Sequence, residues 1–169
     1  MIEIRAAQPS DAPAMARVIV DTWFAVHKEH VSKQTLERRR QTWGYKESEQ
    51  GWRRSIHEAD QREQVLVAID TDRVIAVAGS EMTVDYCAEV GALYVEVQYQ
   101  RLGVGRRLLE HLIDLYKNRH VPKLHIAVLA TNQPARRFYE RMGGREVGTR
   151  DDPDGLEIVY AWDLSAREG

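Results

Sequence analysis

Gln100-Arg101-Leu102-Gly103-Val104-Gly105 stands where a valine-rich run gives way to a helical one. Glycines at such a junction let the backbone come close to a ligand, while the unpaired N–H groups of a first helical turn and the helix dipole attract a phosphate-like anion. No Gly-Lys-Ser/Thr follows, so this is not a Walker loop, and Leu108 stands where a dinucleotide fingerprint carries its third glycine or alanine. A plain strand-to-helix turn would carry the same glycines, and at this point both readings are open. Further on, Tyr139 follows Asn132 by two helical turns, so the two share a helix face and can line one ligand.

These residues need elements to position them. Residues 2–6 read as a first strand, followed by the capping run Gln8-Pro9-Ser10-Asp11. Met15, Val18, Ile19 and Val26 recur at helical spacing, which predicts an amphipathic helix over 14–26. Residues 32–59, charged and tryptophan-bearing, are expected to form one or two helices anchored by Leu36, Trp43, Trp52 and Ile56. Then the period changes. Strands are predicted over 65–69 and 74–82, joined by a turn at Asp70-Thr71-Asp72, and over 89–97 with Gly91, Leu93, Val95 and Val97 on one face. A helix over 104–117, a strand over 124–129, a helix over 133–142 and strands near 145–149 and 156–163 complete the chain. The expected class is α+β, a mixed sheet flanked by helices.

At 169 residues the chain is expected to be one domain, 1–169. Lys plus Arg number 24 and Asp plus Glu 26, a net charge of −2 that provides no basic field for a nucleic acid. Cys87 is the single cysteine, which excludes an intramolecular disulfide and fits a reducing compartment. Neither a secretory signal nor the ~18 consecutive apolar residues of a membrane span is present, so a cytoplasmic location without membrane attachment is expected. His27 and His30 lack a nearby third ligand and read as a surface pair; no metal is expected. Glu37-Arg38-Arg39-Arg40 reads as a solvated helix face rather than a patch for an acidic partner.

Leu93-Tyr94-Val95 leading into Gln100-x-x-Gly103-x-Gly105, and then Asn132-x-x-Ala135-x-x-Phe138-Tyr139-Glu140-x-x-Gly143, resemble the two signature segments of the GNAT superfamily of N-acetyltransferases. The element order is similar to that family from Ile2 to Asp163, with the specific matches between Glu89 and Gly144. The resemblance implies a GNAT-like acyl-CoA acyltransferase fold whose splayed central sheet holds acetyl-CoA between the strands over 89–97 and 124–129. The pantetheine would pair with the free edge of the first strand, with Leu93, Val95 and Val97 as the matching positions. Beyond Gln100, the amides of Arg101, Leu102, Gly103, Val104, Gly105 and Arg106 would hold the pyrophosphate, and Asn132 would hydrogen-bond the cofactor's arm. Two positions depart from the family pattern. Val97 stands where proline is frequent, and Gly144 replaces the usual aromatic after Gly143.

The implied chemistry is attack of an unprotonated amine on a thioester, stabilisation of a tetrahedral oxyanion and departure of a thiolate. The resemblance makes Tyr139 the general acid toward the CoA sulfur. A thiol near pKa ~8.5 and a phenol near ~10 would be roughly matched. Glu89 is the first candidate for general base, with Glu81, Asp85 or a water chain as alternatives, and a carboxylate at a strand end can equally be only solvated. The acceptor amine would belong to a small molecule or a protein. A non-catalytic acyl-CoA-binding sensor or assembly protein is the competing function. Homodimers through late strands are a family habit, which nothing in residues 145–163 requires.

Overall fold

The computed structural model describes residues 1–59 and 63–165; the remainder of the span 1–169 expected as one domain lies outside the described residues. Its strands are β1 (Ile2–Ala6), β2 (Glu63–Asp70), β3 (Arg73–Met82), β4 (Ala88–Val95), β5 (Lys123–Leu129), β6 (Arg145–Asp152) and β7 (Gly155–Asp163). Its helices are α1 (Ala12–His27), α2 (Lys33–Thr42), α3 (Tyr45–Glu58), α4 (Val104–Asn118) and α5 (Gln133–Arg141). The strands form one mixed sheet in the order β1-β2-β3-β4-β5-β7-β6. The α+β expectation holds.

Alternation along the strands builds two cores, one on each face of the sheet. Leu66, Ala68, Ile75, Ala88 and Val90 pack with Leu108, Leu109, Leu112 and Tyr116 of α4, and Phe138 and Met142 of α5 join them. On the opposite face Val65, Val67, Val74 and Val77 pack with Met15, Val18 and Ile19 of α1, with Trp43, Trp52 and Ile56 against them. Thr71 and Asp72, with φ of 45° and 65°, supply the two left-handed residues of a tight β2–β3 hairpin, whose twist matches that of its strands. Among the described residues, no helix is long and apolar enough to cross a membrane.

Strand β4 governs the site. It pairs in parallel with β5 only at Ala88↔Leu124, Glu89↔His125 and Val90↔Ile126, and its remaining residues, 91–95, have no β5 partner. The two strands therefore part toward their C-terminal ends. On its other edge β4 follows β3, but the register shifts so that Ala92 faces Gly79 and Val90 faces Ser80, leaving Gly91 as a bulge. A bulge reverses alternation. Val90 before it and Leu93 and Val95 after it consequently serve the same core, and Gly91 does not share their face as expected.

A second correction concerns Val97. The strand ends at Val95, and Val97 opens a 3-10 turn, Val97–Tyr99, with 54% of its surface exposed. The cause is Glu96, which is buried and receives hydrogen bonds from Arg17, Arg73 and Gln98 while its own N–H donates to the Ile75 carbonyl. That anchorage turns the chain off the strand edge toward α4.

Candidate active site

In the turn between β4 and α4 the Tyr99 and Gln100 amides bond to the Glu96 and Val97 carbonyls, and the amides that follow them up to the first turn of α4 are free by construction. The first helical bond runs from the Arg107 N–H to the Gly103 carbonyl, so the preceding amides have no intrahelical partner. Gly103 caps the helix with φ of 82°, a left-handed conformation for which glycine pays no steric penalty. Arg101 adopts φ of 63° without that advantage. Replacing it should relieve the strain: Arg101→Gly is expected to stabilise the fold by about 0.5–1 kcal/mol, read as a higher urea midpoint at unchanged slope. A lower midpoint would mean that the guanidinium supports the turn.

The other residues of this segment divide by what they touch. The Gln100 side chain turns back and donates to the Val95 carbonyl at 3.0 Å, tying the turn to the strand end. The Arg106 side chain pairs with Glu110 at 2.7 Å. Leu102 is exposed and Val104 buried. Gly105 lies in the seam between β4 and α5, where a Cβ would stand 3.6 Å from Val95 Cγ2 and 3.7 Å from Phe138 Cζ.

Across the opening, Asn132 is buried and caps α5 by accepting from the Ala135 N–H at 3.3 Å. Its Nδ2 has no partner among the described residues. Tyr139 is also buried, its ring 5.2 Å from Phe138, 6.1 Å from Tyr160 and 6.2 Å from Trp162. Its hydroxyl makes no hydrogen bond to any described residue. Burial raises the phenol well above the usual tyrosine range, and the Tyr94 phenol adds to the effect. Tyr94 itself is pushed up to about 12, chiefly by burial. The matched-acidity expectation is thereby corrected. Tyr139 is a hydroxyl that keeps its proton and can donate a hydrogen bond to a developing anion.

Glu89 lies one register before the strands part and is held by Arg150 at 2.8 Å. The same guanidinium binds Glu157 of β7 at 3.0 Å, and burial raises the Glu157 carboxyl against that pull. Two carboxylates thus share one cation. Asp85 lies in the β3–β4 loop, where the Thr83 hydroxyl holds its carboxyl down, and Glu81 faces Glu89 across the β3–β4 ladder. Sequence reasoning did not single out Glu157 or Arg150; their one legible signal is that they stand opposite each other across the β6–β7 hairpin.

A cleft of about 360 Å³ opens between α1, α3 and the β4 bulge, with Trp23, Arg39, Trp43, Trp52, Gly91 and Tyr94 among its walls. Arg39 corrects the reading of its run as a solvated face. Its guanidinium lies 5.2 Å and 5.5 Å from the Trp23 and Trp43 ring centroids and binds Asp154 at 2.5 Å, and Arg38 joins the same carboxylate at 2.6 Å. Polar α2 is thereby tied to the β6–β7 turn. His27 is not a surface residue either: it stacks on Trp23 at 5.0 Å, and burial lowers its pKa.

A family model described as the acetyltransferase (GNAT) family matches residues 22–144. A [ribosomal protein bS18]-alanine N-acetyltransferase of Salmonella typhimurium is 39% identical over 79 residues, which cover 47% of this chain and 53% of that protein. The chain thus spans about half the length of the curated relatives it matches. Among solved structures, the ribosomal-protein-S18-alanine N-acetyltransferase of Escherichia coli superposes with a TM-score of 0.71 at 25% identity, covering 99% of this chain and 96% of that one. The PaiA N-acetyltransferase of Thermoplasma acidophilum, in complex with coenzyme A, has the same fold, with a TM-score of 0.79 at 18% identity over 96% of this chain and 99% of that one.

Proposed function

The chain belongs to the GNAT acetyltransferase family, and from that premise we propose that it binds acetyl-CoA and transfers the acetyl group directly to a primary amine. The observation that carries this reading is the opening of β4 from β5 after Val90 and Ile126, flanked by the free amides before α4 on one side and the free Tyr139 hydroxyl on the other. A thioester lying in that opening would pair with the unused edge of residues 91–95 and lay its phosphates on the amides between Arg101 and Arg106. Asn132 Nδ2 would serve the pantetheine arm.

The amine enters as an ammonium and must lose a proton before attack. Glu89, directly or through one water, takes that proton, with Glu157 held ready by the same Arg150. The nitrogen then adds to the carbonyl carbon, the carbon–sulfur bond breaks with its electron pair going to sulfur, and the second proton shed by the nitrogen neutralises the departing thiolate through solvent, while the Tyr139 hydroxyl donates a hydrogen bond to that sulfur as its charge develops. The single cysteine fits work in a reducing cytoplasm. The exposed edge strand β6, with Val147 58% exposed, supports pairing of two copies, to be checked by sedimentation.

An amine panel with purified protein tests the activity: at least one amine should accelerate CoA release from acetyl-CoA. Tight acetyl-CoA binding without release by any amine would leave a sensor or assembly protein instead. Glu89→Gln tests the base. It should lose ~10²-fold in kcat/KM near neutrality and recover partly at high pH, where the amine deprotonates unaided. A uniform loss at every pH would give Glu89 an orienting role, and a loss confined to Glu157→Gln would move the base to β7.

A further inference from the structure

We propose that the cleft between α1, α3 and β4 selects an acceptor amine bearing a second cationic group, in the simplest case a compact alkyl diamine. The inference deepens the acetyl-transfer reading, on which it rests for the identity of the reacting end. Helix α3 turns one face to the cleft, carrying Glu47, Ser48, Gly51, Trp52 and Ser55. Arg39 and Glu47 are the charged groups of the lining. The cation is already engaged, lying over the Trp23 and Trp43 rings and bound to Asp154 through a terminal nitrogen, with its Nε left unpartnered among the described residues. The carboxylate is not: Glu47 accepts the Gly44 N–H at 3.0 Å and has no cationic partner among the described residues. Beside it Ser48 is only 5% exposed, yet its hydroxyl has no hydrogen-bond partner among the described residues. Ser48 lines the cleft, so its hydroxyl is open to a donor or acceptor there.

The walls agree with that charge. Trp23, Trp43 and Trp52 make the walls aromatic, and the attraction of a cation to such rings grows as water is excluded. A Cβ at Gly51, within α3, would meet nothing within 4 Å, so a mid-helix glycine leaves that space clear at a cost in helix propensity. The lining also takes in Gly91, Ala92 and Tyr94, on the stretch of β4 that has parted from β5. Glu89, on β4 just before that parting, and Glu157 of β7 share the cation Arg150. An elongated occupant therefore meets excess negative charge at both ends: the reacting amine faces the carboxylate pair by the strand opening, and the second cation faces Glu47 and Ser48. A cleft of about 360 Å³ suits a small molecule.

Calorimetry and tryptophan fluorescence on the full chain, with cadaverine, pentylamine and aminopentanoate as probes, test this without requiring turnover. Cadaverine should bind about tenfold more tightly than pentylamine, with the amino acid weakest. Glu47→Gln keeps a side chain able to accept the Gly44 N–H and should erase the tenfold preference. Gly51→Leu should fill the cleft and abolish binding of all three probes while CoA binds as before. Equal binding of cadaverine and pentylamine, a preference for the amino acid, or tighter binding of a peptide with a free N-terminus would each overturn the inference. Failure of CoA to bind the same preparation would instead overturn the acetyl-transfer reading and leave the cation result standing.

Discussion

Tyr139→Phe is expected to lower kcat by ~10²-fold or more while CoA binds with nearly unchanged affinity. The substitution is unusually clean here. The ring contacts with Phe138, Tyr160 and Trp162 survive, and the deleted hydroxyl makes no hydrogen bond to a described residue, so no partner is stranded. Thermal stability should accordingly stay the same or rise slightly. Because burial holds the phenol above its usual range, its proton stays in place at any pH where the enzyme works. The wild-type rate should therefore show no alkaline loss below pH ~9 that the Phe variant removes. Single-turnover measurements, in which chemistry limits the rate, decide the matter. Unaltered turnover there would reduce Tyr139 to a packing residue and shift attention to Tyr94, the other raised phenol at the opening.

What the sequence made legible and what it did not follow a physical division. Local periodicity placed the elements because each buries a face: α4 keeps Leu108, Leu109 and Leu112 on one stripe, and the β2–β3 turn is written in Thr71 and Asp72. The glycine turn ahead of α4 was legible for the same reason, since Gly103 takes a left-handed φ of 82° that glycine adopts without penalty. The β4 bulge was legible only in its residue, because an isolated glycine such as Gly91 marks a possible bulge while the register shift itself arises from pairing with β3 across Gly79 and Ser80. Val97 failed similarly: Arg17 and Arg73, remote in sequence, bind Glu96 and end the strand two residues early. The surroundings of the cleft were the hardest to read. Arg38 and Arg39 look like solvent charges until Asp154, from the far end of the chain, is brought against them. Glu89 looked like a free base until Arg150 and Glu157 joined it. A helix face or a turn is encoded within a few residues, whereas an ion pair between distant strands is not.

Gly105 offers the sharpest test of the cradle, because the structure separates size from charge at that position. A Cβ there would touch Val95 and Phe138 at ordinary contact distances, so Gly105→Ala should fold, gain slightly in helix propensity and bind CoA within a few-fold of the wild type. Gly105→Glu is different in kind. Its longer side chain cannot stay in the narrow gap between β4 and α5 and must reach into the opening or over the free amides, carrying a negative charge to the end of α4 where the helix dipole attracts anions. A carboxylate in that place both blocks and repels a pyrophosphate. CoA affinity should fall more than ~100-fold, about 2.7 kcal/mol or more, with a thermal midpoint near that of the alanine variant. Measured by calorimetry, a loss in the glutamate variant alone assigns the effect to the anion site. An equal loss in both variants would mean that the seam tolerates no side chain and that its packing is the controlling feature. Unchanged affinity in Gly105→Glu would remove the phosphate cradle from the α4 N-terminus altogether.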